Sequence, residues 1–457
     1  MSSTPEVSED AIIELRRQKR RKLMEHLASK QDGIGDGFSE NKLPDPDSFE
    51  LERPSRPASV PATEYNELSD KDRFHSEEES DDMFASSSSS GSDHSPPVKL
   101  RKQSLVGTGK KLDQNLLDSW DDVDGYYRII SGELLDGRYL VTETLGKGMF
   151  AAVVRATDKQ KNIPVAIKII RNNETMRRAG YKEIRILEKL NEEGSSAIVK
   201  LLSHFEHKNH LCLVFESLHS NLRDVLKKYG RNVGISLEAV RAYCRQAMRG
   251  LAALKKCGIV HADLKPDNIL VDNSRSVVKI ADLGSASEYD DVKAAGSAPY
   301  LVSRFYRAPE LILGLSHDYA VDMWSLGCSL FEMYTGRILF PGISNNNMLR
   351  HMMKAKGKFP HKMLRKSEFR AHHFNEQLDF QGLDVDKATG RQVFKVMKAV
   401  GPVEEMTIKA RVFTDEADIK GSRLVLLQFI DLLEKMTTLN PDKRITPEEA
   451  LEHPFCN

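Results

Sequence analysis

Hydrophobic and polar positions divide this chain into two unlike parts. Up to about residue 112, apolar side chains follow no lasting period. Ile12, Leu15, Leu23 and Leu27 come nearest to one, at close to helical spacing behind a cap at Ser8 or Asp10. After Gly37 the pattern gives way to scattered prolines, an acidic run at 76–82 and the serines 86–90. From Tyr139 it tightens. Residues 139–145 alternate as a strand does, 165–168 predict a second strand, and 181–190 carry apolar positions at helical period. Further on, Ile259 and Val260 predict a buried strand running into a polar loop, and Ile269, Leu270 and Val271 predict its return.

Composition sharpens the division. Only 28 of the first 110 residues are apolar, against 40% of the whole chain, and eight of the 18 prolines fall there. Such a stretch buries too little apolar surface to offset the entropy of ordering its backbone. Residues 1–112 are therefore expected to form a disordered arm, and the remainder one large folded unit. Net charge is zero, with 67 basic and 67 acidic residues, which argues against wholesale coating of a polyanion. No direct nucleic-acid readout is expected. No apolar run approaches the roughly 18 residues of a membrane span, and the polar residues 1–10 do not resemble a signal peptide. Five cysteines lie far apart in sequence with no C-x-x-C pair, which favours neither zinc nor a disulfide framework and points to a reduced compartment, nuclear or cytosolic. Within the arm, Arg16, Arg17, Lys19, Arg20, Arg21 and Lys22 put six cations in seven residues. They read as a nuclear-import signal, with a partner contact or a merely solvated helix as the alternatives. Serines before acids, Ser95 before Pro96 and Ser104 after Arg101 are candidate phosphate acceptors.

The folded part carries chemistry in a definite order. Gly146 and Gly148, flanked by strand-like sequence, allow a tight hairpin whose backbone N–H groups approach phosphates closely. A lone lysine, Lys168, alternates into an otherwise apolar strand, where it is costly unless something anionic meets it. Glu183 on the following helix is the candidate partner. The loop after Val260 gathers Asp263, Lys265 and Asn268 within six residues, and Asp282 follows 14 residues after Asn268. Phosphoryl transfer needs a carboxylate to orient the attacking hydroxyl, cations to neutralise spreading charge, and oxygen ligands for magnesium.

These motifs resemble the eukaryotic protein-kinase catalytic domain over about residues 139–455, roughly 70% of the chain. The resemblance implies an α+β, two-lobed fold: a small β-rich N-lobe and a larger helical C-lobe. It implies ATP and Mg2+ as well. Asp263 would be the catalytic base and Lys265 its phosphate-neutralising neighbour; Asn268 and Asp282 would hold the metal, and Lys168, paired with Glu183, the nucleotide phosphates. Leu145, Gly146, Lys147, Gly148, Met149 and Phe150 would cover the nucleotide, with Ala151, Ala152 and Val153 continuing that cover. Ala166, Phe215, Glu216, Leu218 and Leu270 would surround adenine, Phe215 as gatekeeper. Glu310 would pair with Arg444 inside the protein, and Asp322 would anchor the catalytic loop. Three positions depart from the family pattern: Ala151 replaces the third glycine, Leu283 the usual phenylalanine, and Ala262 the arginine that reads activation-loop phosphate.

Residues 296–310, residues 336–342 and the long insertion before Asp442 resemble the CMGC kinases, and the missing arginine at Ala262 the DYRK- and CLK-related branches. The basic run 354–360 and residues 362–374 resemble the splicing-associated kinases of that group. That resemblance implies a nuclear serine/threonine kinase whose partners are protein substrates, namely splicing factors of the tri-snRNP. It also implies tyrosine autophosphorylation, with Tyr300 as acceptor and Arg304 and Arg307 as phosphate ligands. Residues 113–138, rich in aromatics, are expected to dock on the N-lobe. A kinase of other nuclear proteins and a pseudokinase scaffold are the competing readings.

Overall fold

The computed structural model describes residues 120–457 apart from 123, 232, 296–301, 386–391, 398–400 and 414–421. The arm with its basic run and serines, and Tyr300, lie outside the described residues.

The N-terminal lobe is one antiparallel sheet. Its strands are β1 (Leu134–Leu135), β2 (Tyr139–Lys147), β3 (Ala151–Asp158), β4 (Ile163–Ile170), β5 (Leu201–His207) and β6 (His210–Glu216), in the order β1-β2-β3-β4-β6-β5. Alternation along β4 gives the sheet two different faces. Ile167 and Ile169 join Val154, Val165, Cys212 and Val214 in an outer cluster closed by Tyr127, Leu135, Tyr139 and Val141. Lys168 points the other way. It stands opposite Val153 on β3 and Leu213 on β6. On that inner side lies helix α1 (Glu174–Glu193), which buries Ile184, Ile186, Leu187, Leu190 and Glu183. Asn173 caps its start by accepting the Thr175 and Met176 N–H groups, and Gly194 ends it at φ 76°.

The C-terminal lobe begins with β7 (Ser220–Asn221), α2 (Leu222–Lys228) and α3 (Leu237–Lys256). Short strands β8 (Ile259–Val260), β9 (Ile269–Val271), β10 (Val278–Ile280) and β11 (Ser287–Glu288) follow. They pair as β10-β9-β7 and β11-β8, so the polar loop between β8 and β9 is gripped at both ends. Next come α4 (Tyr289–Ala295), α5 (Pro309–Ile312) and α6 (Ala320–Thr335). Helix α6 is buried almost throughout, with Trp324 and Phe331 in the core, and the polar stripe Asp322, Ser325, Ser329 and Glu332 is buried with hydrogen-bond partners. Helices α7 (Asn345–Lys356) and α8 (His361–Lys366), the hairpin β12 (Phe380–Val385) and β13 (Gln392–Met397), and helices α9 (Ile408–Val412), α10 (Ser422–Met436) and α11 (Pro447–Leu451) complete the lobe. The basic run of the insertion is not uniformly presented to solvent. Lys356 is turned inward onto Glu434, whereas Lys358, Lys362, Arg365 and Lys366 are exposed. Cys244 and Cys456, distant in sequence, bring their thiols to 3.7 Å in the core. Among the described residues no helix is long and apolar enough to cross a membrane.

Candidate active site

Lys168 Nζ lies 2.9 Å from both Glu183 carboxylate oxygens and 2.8 Å from Asp282 Oδ1. One ammonium therefore ties β4, α1 and the end of β10 together. Burial disfavours its charge, but the Asp282 and Glu183 carboxylates outweigh burial and hold its pKa above the ordinary lysine value. Asp282 is pulled down to about 2, chiefly by Lys168. The Lys168–Asp282 contact is thus fully charged at neutral pH and weakens only as pH falls towards 2. Glu183 shifts up, because burial raises its pKa more than Lys168 lowers it.

The second cluster hangs from α6. Asp322 accepts the His261 N–H at 2.8 Å and the Ala262 N–H at 2.9 Å. Ala262 needs such a hold, since its φ of 63° lies in the left-handed region that costs a residue with a Cβ. Burial raises the pKa of Asp322 even though it accepts those bonds. His261 is buried and fixed at both nitrogens: Nδ1 accepts the Asp263 N–H at 3.2 Å, and Nε2–H donates to the Ala281 carbonyl at 3.0 Å. The loop is thereby tied to the strand that carries Asp282.

Asp263 then stands at the centre of polar contacts. Its Oδ2 lies 3.1 Å from Lys265 Nζ and 3.3 Å from Asn268 Nδ2. Its Oδ1 accepts both the N–H and the hydroxyl of Ser303, at 3.0 and 2.7 Å, and Lys265 Nζ donates to the same hydroxyl at 2.9 Å. Ser303 was missed by sequence reading; it is a lone serine 40 positions from Asp263, and nothing in its neighbourhood signals the contact.

A metal fits the oxygen set. The amide nitrogen of Asn268 is engaged by Asp263, which leaves its carbonyl oxygen to act as a ligand. The Ala281 N–H donates to the backbone carbonyl of Asn268 at 2.9 Å, placing Asp282 beside Asn268 and leaving the side-chain Oδ1 untouched. Two hard oxygen donors with substrate phosphates completing the shell suit Mg2+, which keeps few protein ligands.

The remaining candidates divide clearly. Val153, Ala166, Phe215, Leu218 and Leu270 are half-buried, as apolar residues facing an open cleft would be. Leu145, Lys147, Met149 and Phe150 are exposed around the hairpin tip, with Gly146 and Gly148 between them. Ala151 is buried on the inner face. Ala152 alternates to the outer face, away from Lys168, so only its backbone could serve a nucleotide. The Glu216 side chain is taken by Lys279 (both oxygens at 2.7 Å) and the Lys200 N–H. Leu283 fills the core. Arg304 is exposed. Arg307, expected beside it as a phosphate ligand, is instead buried, donating to the Val302 carbonyl at 2.9 and 3.2 Å and to Asn345 at 2.7 Å. Glu310 and Arg444, both fully buried, pair through two bonds of 2.6 and 2.9 Å.

A two-lobed fold whose lobes meet at a lysine–glutamate–aspartate triad and an aspartate–lysine–asparagine loop defines a phosphotransferase acting on proteins. The family description "Protein kinase domain" matches residues 139–456, and the chain belongs to that family. It is 48% identical over 383 residues to serine/threonine-protein kinase prp4 of Schizosaccharomyces pombe, covering 83% of this chain and 78% of the relative. It is 42% identical to serine/threonine-protein kinase prpf4B of Dictyostelium discoideum, over 82% of this chain and 47% of that longer protein. Dual specificity tyrosine-phosphorylation-regulated kinase 3 of Rattus norvegicus is 36% identical over 77% of this chain and 60% of its own. The chain is a protein serine/threonine kinase of the CMGC group and of the Prp4-like type.

Proposed function

We propose that this kinase transfers the γ-phosphate of ATP to serine and threonine hydroxyls of splicing factors in the nucleus. The observation that carries the chemistry is the placement of Asp263, Lys265 and Ser303 in mutual contact, with Asn268 and Asp282 beside them and Lys168 on Asp282. In this reading a substrate hydroxyl takes the place of the Ser303 hydroxyl on Asp263: Oδ1 accepts the substrate O–H, orients the oxygen and receives the proton as the phosphoryl group leaves ATP. Lys265 neutralises charge on the group in transit, and Lys168, held by Glu183, orients the nucleotide phosphates. Asn268 and Asp282 would hold Mg2+, which when bound would supply charge neutralisation for the phosphates. Gly146 and Gly148 cover the nucleotide, and the backbone at Glu216 and Leu218 receives adenine. The splicing assignment rests on the resemblance of residues 354–360 and 362–374 to the splicing-associated kinases, beside the similarity to the prp4 and prpf4B kinases. Acute inhibition followed by phosphoproteomics tests it: tri-snRNP proteins should lose phosphate first, and an unchanged spliceosomal phosphoproteome would contradict it.

Tyrosine autophosphorylation at Tyr300 draws on the dual-specificity relative and on exposed Arg304 four residues on. Peptide mapping of chain made in bacteria should find phosphate on Tyr300, and fully active enzyme with unmodified Tyr300 would refute the role.

The loop also bears on which serines are chosen. Val302 has φ 73°, a costly value for a β-branched residue, and its carbonyl is occupied by Arg307. A substrate lying along Ser303 therefore finds no free carbonyl there for the N–H of the residue after its acceptor. Proline, which has no N–H to leave unsatisfied, is expected at that position. Matched peptides with Ser-Pro, Ser-Ala and Ser-(N-methyl-Ala) should give kcat/KM about tenfold higher for the two N-substituted forms, by the desolvation cost of an unpaired N–H. Equal rates for all three would remove the argument.

A further inference from the structure

The hairpin that covers the nucleotide is held from outside the catalytic domain. Between β2 and β3 its tip is closed by the Gly148 N–H on the Ala151 carbonyl at 2.8 Å, with the Arg171 N–H on the Phe150 carbonyl at 3.1 Å, and its tip residues Met149 and Phe150 are exposed. The segment before the sheet supplies what the tip lacks. Trp120 to Arg128 fold back on themselves, with Asp121 bridged to Tyr127 and the Arg128 N–H on the Trp120 carbonyl. From this strap Tyr126 donates its hydroxyl to the Gly148 carbonyl at 2.8 Å and reaches the Met149 carbonyl at 3.2 Å. Its ring lies between Lys147 Nζ, 3.7 Å from the centroid, and the Arg171 guanidinium at 4.5 Å. Asp122 pairs with Lys147 at 2.9 Å, and Arg171 donates to the Met149 carbonyl at 2.9 Å.

The strap is itself fastened to the sheet. Asp121 bonds buried His210 at 2.6 Å and Asn172 Nδ2 at 2.7 Å, and the Asn172 N–H donates to the Gly125 carbonyl at 2.8 Å. Gly125 sits at φ 78°, where a Cβ would also come within 3.3 Å of the Asn172 carbonyl, so this close approach requires glycine.

We propose that Tyr126 is a positioning residue for ATP, holding the glycine hairpin in its covering position. The peptide plane makes the link. A carbonyl and the N–H of the next residue point in opposite directions, so fixing the Gly148 and Met149 carbonyls fixes the Met149 and Phe150 N–H donors on the far side. Donors held in place lose less entropy when a phosphate arrives. The inference rests on reading this hairpin as the nucleotide cover.

The test is Tyr126→Phe in the full chain, which keeps the ring between the two cations and removes only the hydroxyl. KM for ATP should rise about fivefold, the net worth of one hydrogen bond, with kcat within about twofold. The Tm should be unchanged, and hydrogen exchange at the Met149 and Phe150 amides should speed up. Asp122→Asn should move KM the same way by less, and the difference should vanish at high salt. Unchanged KM and exchange in Tyr126→Phe would overturn the proposal, as would a fall in Tm with kcat and KM altered together, which marks a merely structural residue. If the unsubstituted chain bound no ATP, the nucleotide reading would fall, and this inference with it.

Discussion

Replacing Asp263 with asparagine is expected to lower kcat by about two to four orders of magnitude while ATP affinity and Tm stay near their original values. The side chain keeps its shape, so the loop hung from Asp322 and the fold around it have no reason to move. What changes is polarity. Oδ1 and Oδ2 accept from the Ser303 N–H and hydroxyl, from Lys265 and from Asn268. An amide presents one acceptor and one NH2 group to these donors, so at least one contact becomes donor against donor. It also loses the charge that attracts a hydroxyl proton. Steady-state kinetics on a serine peptide, with calorimetry for ATP, separates the two effects. Turnover at the original rate would show that Asp263 is not the hydroxyl's partner. Loss of ATP binding together with turnover would instead indicate a collapsed site.

The largest stability effect is expected at Arg444. Its guanidinium is fully buried, bonded twice to Glu310, once to the Ala320 carbonyl at 2.6 Å and once to the Thr438 carbonyl at 3.1 Å. It therefore fastens the end of the activation segment to the start of α6 and to the chain beyond α10. Arg444→Met leaves the Glu310 carboxylate buried without its counter-charge, which costs about 3–5 kcal/mol. Thermal unfolding should show a fall in Tm on the order of 10 °C. The pair Glu310→Gln and Arg444→Met should lose less than the sum of the single changes, because no lone charge remains. A Tm within a degree or two of the original for Arg444→Met would mean that water reaches the site.

The sequence exposed most of the catalytic apparatus because its parts are polar residues in places that demand a reason. A lysine in an apolar strand, and a carboxylate, ammonium and amide within six residues, are costly to bury without a task. Lys168, Glu183 and Asp282 do meet, and so do Asp263, Lys265 and Asn268. Contacts made by unremarkable residues at long range were hidden. Ser303 resembles any loop serine until the fold brings it to Asp263. Arg307 shares with Arg304 the spacing of a phosphate clamp, yet a left-handed Val302 turns a carbonyl towards Arg307 and draws it into the core. The aromatic content of residues 113–138 raised the expectation of docking on the N-lobe, but gave no sign that Tyr126 reaches the hairpin tip, since both acceptors are backbone carbonyls and leave no trace in residue identity.

The most direct test of the central claim is phosphate transfer by the purified full chain. With ATP, Mg2+ and a serine-proline protein substrate, mass spectrometry should find phosphoserine or phosphothreonine accumulating with the unsubstituted chain. Accumulation should cease when the metal is chelated, and it should fall to near background with Asp263→Asn or with Lys168→Met. Transfer that proceeds undiminished in the Asp263→Asn and Lys168→Met chains, or no transfer by the unsubstituted chain under these conditions, would contradict the assignment of phosphoryl transfer to this site.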